Sequence, residues 1–321
     1  NPTTGESLGL LVEEARTNLV LQSETFGTTW GPFRASIVTN STASPDGAAT
    51  ADTIVEDTTV TSSHGTSQTI NLTAAVYTFT IFLKAAGRNW VNINPSDSAD
   101  HRTWFDFSNG AVGTNATGNT SSITAYPNGW YRCTITRTMD RVSCAFQISL
   151  TTGDNVAVYS GDGTSGAYIW GAQIEAGAFP TSYIPTTSAT ATRAADVASI
   201  TGSNFSSWYN QTEGTVFAEA ISVATNTSVF SISDNSTNNR IQLETGSNTR
   251  RFRITSSGSA RYDNSVSYTF GTQGKTAGAY LDTSTNHATN GTLGSSSTAS
   301  PLPVVDRIYI GSNAAGSLPN N

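Results

Sequence analysis

The strongest folding instruction in this chain is an alternation of apolar and polar side chains over short runs. In VYTFTIFLKA, Tyr77, Phe79, Ile81 and Leu83 fall on one parity, and Thr78, Thr80, Phe82 and Lys84 on the other. An extended strand sends successive side chains to opposite faces, so this pattern suits a strand with one face on a core and not a helix. The same period recurs in NWVNINP, RTWFDFSNG, GWYRCTITR, CAFQISLTT and AYIWGAQIE, each bounded by Gly, Asn, Asp, Ser or Pro. Short strands punctuated by turn formers predict antiparallel sandwiches and not βαβ units. Charged residues make up only 12% of the chain, too few to keep the outer faces of many surface helices in water. The expected fold class is all-β, with two antiparallel β-sandwich (jelly-roll) domains in tandem.

A length of 321 residues exceeds what one core commonly serves, at roughly 100–200 residues per domain. After SYIPTT the sequence shifts to SATATRAAD, small residues without aromatics. The reading is a first domain over 1–187, a linker over 188–196 and a second domain over 197–321. The second strand series includes GTVFAEAISV, SVFSISD, NRIQLETG, RRFRITSSG and DRIYIG, and Asn290-Gly291 predicts a two-residue hairpin turn. Cys133 and Cys144 are the only cysteines and lie in YRCTITRTMDRVSCAFQI. Read as a hairpin turning near Thr138 to Asp140, this segment sets them opposite one another. A cross-strand disulfide is then possible, as is a pair of small buried thiols alternating with Ile135 and Phe146.

Net charge of −7, with lysine only at Lys84 and Lys275, argues against a nucleic-acid partner, which needs clustered basic residues. No apolar run reaches the roughly 18 residues of a membrane-spanning helix, so no membrane insertion is expected. His64, His101 and His287 stand in separate polar segments, read as loops, without a second ligand at i+2 or i+4. GDGTSG at 161–166 has glycines and an acid but no lysine, and reads as a turn. No catalytic residue is assigned, and the chain is not expected to be an enzyme.

The six tryptophans say more, because saccharide sites stack sugar rings on exposed aromatic faces. Parity places Val91, Ile93, Phe105, Phe107, Cys133, Ile135, Phe146 and Ile148 inward, and turns Trp90, Asn92, Asn94, Trp104, Arg132 and Gln147 outward. If these strands share one sheet, its outer face gathers Trp90, Asn92, Trp104, Arg132 and Gln147 with Phe82 and Lys84. Aromatics flanked by amides and cations make a candidate glycan-binding face. The competing reading is that neighbouring chain covers these rings. Trp30 reads as closing the loop after the first strand.

The segments LGLLVEEARTNLVLQSETF, NGWYRC and YSGDGTSGAYIWGAQIEAGAFPTSYIPTT, spanning Leu8 to Thr187, resemble a module of bacteriophage head spike fibres, tail fibres and tail-associated adhesins. That module is similar to jelly-roll carbohydrate-binding modules. GTVFAEAISV, NNRIQLETG and DRIYIGSNAAG resemble the concanavalin A-like, laminin G-like sandwich. The resemblance implies a non-enzymatic virion appendage at the virion surface, outside the cell. It would bind host surface polysaccharide, contact other virion proteins, and form a homo-oligomer, a trimer by analogy. It also implies that a closing strand follows the segment Arg307 to Gly311 in a larger virion protein. Similar jelly rolls hold a structural Ca²⁺ where the first and last strands meet, which points to Glu24, Asp52, Asp162 and Glu175 as ligands. The alternatives are the carbohydrate-binding region of a secreted bacterial polysaccharide-active enzyme, and a purely architectural virion surface protein.

Overall fold

The computed structural model describes residues 9–312 apart from Ser98, Arg141 and Ala224. Packing divides them into two units, residue 9 with 16–193, and 10–15 with 194–312.

The first unit contains β1 (Arg16–Asn18), β2 (Gly31–Phe33), β3 (Ala35–Thr42), β4 (Ala51–Glu56), β5 (His64–Asn71), β6 (Ala75–Ala86) and β7 (Trp90–Ser96). It continues with β8 (Thr103–Asp106), β9 (Ala111–Asn115), β10 (Thr120–Ala125), β11 (Tyr131–Met139), β12 (Ser143–Thr151), β13 (Gly166–Ala176) and β14 (Ala191–Arg193). One six-stranded sheet has the order β10-β11-β6-β13-β4-β3, the other β2-β5-β12-β7-β8-β9, and their ladders are antiparallel. The inward parity of both sheets meets in one core. Tyr77, Phe79, Ile81 and Leu83 of β6 pack with Val91, Ile93, Phe105, Phe146 and Ile148 of the facing sheet, and the Phe79 and Phe146 rings lie 5.6 Å apart. Trp30 joins the same core, its ring 4.8 Å from that of Phe26.

The segment read as a β11–β12 hairpin is instead a crossing between sheets. β11 already has β10 and β6 on its two edges, and β12 has β5 and β7, so neither can accept the other. Cys133 and Cys144 are free thiols buried in the core, each on its own sheet. The stretch read as a linker, 188–196, contains β14, which pairs antiparallel with β1 through Arg16↔Arg193 and Asn18↔Ala191. Short polar residues gave no sign of this, because a two-stranded ladder needs backbone partners and little apolar surface.

The second unit holds β15 (Ala198–Thr201), β16 (Glu213–Ile221), β17 (Thr227–Ser233), β18 (Arg240–Thr245) and β19 (Thr249–Ser256). β20 (Ser259–Ser267), β21 (Gln273–Leu281), β22 (Asn286–Thr289), β23 (Thr292–Leu293) and β24 (Arg307–Ile310) complete it. A six-stranded sheet, β15-β24-β17-β18-β19-β20, and a four-stranded sheet, β16-β21-β22-β23, share the core of Phe230, Ile232, Ile241, Leu243, Phe252, Ile254 and Tyr280. The sheets approach so closely at Gly278 that a Cβ there would lie 2.6 Å from the Phe252 ring. Asn290 and Gly291 both take positive φ, 48° and 83°, and turn β22 into β23, as a two-residue hairpin requires. β16 is an edge strand, with Phe217 and Ile221 exposed on its outward parity. The closing strand expected after the Arg307 segment lies outside the described residues.

Candidate functional site

Four of the six candidate saccharide residues converge. Trp90, Asn92, Trp104 and Gln147 share the outer face of the β2-β5-β12-β7-β8-β9 sheet, because Val91, Ile93, Phe105, Phe146 and Ile148 take the inward parity. Register sets Asn92 between Ser149 on β12 and Trp104 on β8, with Gln147 opposite Asn94 and Thr151 opposite Trp90. Lys84 and Arg132 do not belong to this face. They lie on the other sheet, opposite Tyr168 and Phe82 respectively, and the outer faces of a sandwich look away from each other. Arg132 Nη2 donates to Thr181 O at 2.7 Å and to Thr80 Oγ1 at 3.3 Å, which pins the returning segment 177–187 across its own sheet. Phe82 is buried there among Tyr126, Trp170 and Tyr183, and the Lys84 ammonium sits 5.8 Å from the Tyr168 ring.

The convergent face is partly covered by the loop 152–158. Trp104 Nε1 donates to Val156 O at 3.2 Å, and Thr151 Oγ1 to the same carbonyl at 2.6 Å. Asp154 accepts from Thr114 N at 2.7 Å and Thr114 Oγ1 at 2.9 Å. Gly113 leaves the room this needs, since a Cβ there would meet both the Asp154 carboxylate and the Trp90 ring. Trp104, expected to face solvent, is therefore only 6% exposed, while Trp90 and Gln147 remain half-buried. Asn92 is fully buried, and neither its Oδ1 nor its Nδ2 has a hydrogen-bond partner in the protein. A buried amide left so is costly, at about 1–3 kcal/mol per unmet group. Beside it, Asn94 Oδ1 accepts the His101 amide at 2.9 Å, and its Nδ2 lies 3.4 Å from Gln147 Oε1. At this rim His101 Nε2 contacts Asp97 Oδ1 at 2.7 Å. Burial acts to raise the Asp97 pKa, but His101, the Ala99 amide and Asp140 together outweigh it and the carboxyl lies below its ordinary value. Asn94 shares the parity of Trp90 and Asn92 and could be placed from sequence; the loop 152–158 and its Asp154 anchor could not.

The four carboxylates considered for calcium do not meet. Asp52 accepts Phe26 N and Asn40 N, and Glu175 accepts Gln173 Nε2, Thr181 N and Thr181 Oγ1. Asp162 closes its own turn by accepting from Thr164 and Ser165, and Glu24 accepts from Tyr183 Oη at 3.1 Å. A hard cation needs carboxylate lone pairs aimed at one point, and here donors of the protein take them one carboxylate at a time. Among the described residues no group of three or more His, Cys, Asp or Glu side chains converges.

Two histidines expected in loops are strand residues of the interior. His64 in β5 and His287 in β22 are both buried. His64 Nδ1 sits 2.8 Å from Arg34 O, and its ring packs 4.8 Å from Tyr159. Tyr159 Oη in turn donates to Glu56, whose carboxylate also takes Arg88 Nε at 2.8 Å and the Asp162 amide at 2.8 Å. This ion pair of a buried carboxylate with a half-buried arginine had no signature in the sequence, since Glu56, Arg88 and Tyr159 are far apart along it.

No protein-family model and no curated protein matches this sequence. Among solved structures, the chain is similar to domains LG4-5 of the mouse laminin α1 chain at 11% identity and a TM-score of 0.26, over 81% of this chain and 83% of that one. It is similar to the LG1-3 region of the laminin α2 chain at 13% identity and a TM-score of 0.28, over 82% of this chain and 61% of that one. Neither alignment bears on the side chains described above. The β-sandwich assignment rests on the ladders and cores of this chain itself.

Proposed function

We propose that the chain is a non-enzymatic saccharide-binding protein, and that its first unit binds through the outer face built by Trp90, Asn92, Asn94, Trp104 and Gln147. The observation that carries this reading is that a partly exposed indole, Trp90, and a partly exposed carboxamide, Gln147, share one outer sheet face, with the unmet Asn92 amide buried on the same parity. Carboxamides paired with indoles are the groups that bind sugar hydroxyls and sugar CH faces together. The sequence resemblance supports setting this module on the virion surface of a bacteriophage, as part of an oligomeric appendage that meets host polysaccharide.

The test is retention of the purified chain on an array of bacterial surface oligosaccharides. Trp90→Ala and Gln147→Ala abolish retention, and Lys84→Ala, on the opposite sheet, does not. Retention that survives both substitutions, or that is lost only with Lys84→Ala, overturns the assignment of the face.

A further inference from the structure

The outer face of the six-stranded sheet in the second unit carries a concentration of guanidinium groups. Ile241, Leu243, Phe252 and Ile254 point into the core, so Arg240 and Gln242 on β18 and Arg251 and Arg253 on β19 take the outward parity. Register puts Arg253 opposite Gln242, one strand pair along from Arg240, and Ser231 on the far side of Gln242. Neighbours on this diagonal stand about 7–8 Å apart at the backbone, within reach of three long cationic side chains.

The carboxylates of the face are already committed. Asp263 gives both oxygens to Arg251 and is 3.8 Å from Arg253 Nε, and Glu244 lies 3.6 Å from Arg251 Nη1. Arg240 is half-buried, and its Nε has no hydrogen-bond partner among the described residues. Burial and then Arg253 push its pKa down, against an opposite pull from Glu244 and with a lesser push from Arg251. An arginine crowded by like charge, in a chain of net charge −7, is an unmet demand for an anion. A second and independent observation lies directly beside it. The Ser231 hydroxyl and the Gln242 Oε1 are buried and have no partner in the protein. One oxyanion could satisfy the guanidiniums, and hydroxyls attached to it could satisfy Ser231 and Gln242.

We propose that Arg240 and Arg253, with Ser231 and Gln242, form a second binding site, selective for an acidic saccharide that presents a carboxylate or sulfate next to free hydroxyls. The planar fork of arginine matches such oxyanions in a bidentate way. The saccharide class rests on the function proposed above; the requirement for an oxyanion does not.

The experiment titrates the full chain with oligogalacturonate, with dextran sulfate and with neutral dextran, at low and at physiological salt. Wild type binds one or both acidic polymers, more weakly as salt rises, and the one preferred identifies carboxylate or sulfate as the group read. Arg240→Gln weakens that binding about tenfold or more. Lys275→Gln, which removes the same charge from an exposed residue of the other sheet, leaves it unchanged. Because Arg240→Gln relieves crowding, it does not lower the melting temperature, so loss of binding is not loss of fold. The proposal is overturned if neither acidic polymer binds, if neutral dextran binds as well, or if R240Q and K275Q behave alike. Failure of the Trp90 face would show separately, as retention insensitive to Trp90→Ala and Gln147→Ala.

Discussion

Replacing Arg88 by Met removes the counter-charge of a carboxylate that cannot reach water. The Glu56 side chain is 0% exposed, and its donors are Arg88 Nε and Nη2, Tyr159 Oη and the Asp162 amide. Burial acts to raise the Glu56 pKa, but these donors outweigh it and hold the carboxyl below its ordinary value of 4.5. In Arg88→Met the carboxylate keeps the tyrosine and amide donors and loses its cation. Breaking one side of a buried pair costs about 3–5 kcal/mol. At about 2–4 °C per kcal/mol for a unit of this size, the melting transition of 16–193 falls by roughly 6–20 °C at neutral pH. In wild type the depressed pKa contributes stability above the unfolded value, and this is lost as pH falls through the folded one. In the variant burial dominates and the folded pKa rises, so its penalty is present at neutral pH and fades as acid protonates Glu56. The gap between the two proteins is therefore widest near neutrality, narrows toward the unfolded value of 4.5 as the variant's penalty fades, and closes only below it, as pH falls through the wild-type folded value. Tryptophan fluorescence reads the transition, because Trp30, Trp90, Trp104, Trp130 and Trp170 lie in this unit. Adding Glu56→Gln to Arg88→Met recovers part of the loss, since an amide needs no counter-ion. A fall of less than about 2 °C at neutral pH, or a gap that does not change with pH, refutes the reasoning.

Three further outcomes follow from burial. Trp104→Ala costs about 3–5 kcal/mol, while Trp208→Ala, at a ring 51% exposed, stays within about 0.5 kcal/mol; calorimetry that finds equal shifts contradicts the covering loop. Burial raises the pKa of Cys133, and it pushes Cys144 up to about 12 with a smaller push from Asp97. Neither thiol takes up maleimide until the chain is unfolded in urea, and reductant leaves the melting temperature unchanged; rapid labelling of the native protein would count against the buried placement. Burial lowers the His287 pKa, so the unfolded state binds the proton first and the second unit loses stability as pH falls below about 6.5. His287→Asn flattens that decline, and an identical slope in a pH series of melts would show that another group is responsible.

Much of the fold was legible because strand parity is local. The inward set Val91, Ile93, Phe105, Cys133, Ile135, Phe146 and Ile148 is the set found in the core, and Asn290-Gly291 turns where its backbone freedom requires. Both follow from the geometry of adjacent residues. The amide and aromatic character of Trp90, Asn92 and Gln147 was legible for the same reason. Parity says which face of its own sheet a side chain takes; it does not say which sheet the strand joins. Lys84 and Arg132 therefore left the candidate face once β6 and β11 paired in the opposite sheet from β7 and β12. Nor does parity say what passes over an outward face. Trp104 is covered by a loop anchored through Val156 and Asp154, and Phe82 by a segment held through Arg132. The four carboxylates had the chemistry of a cation site, but their lone pairs were taken by donors such as Asn40 N and Thr181 N, from elsewhere in the chain. Alternation, turns and side-chain chemistry are properties of neighbours in sequence. Sheet membership, the covering of faces and the partners of buried charges depend on residues brought together only when the chain closes on itself.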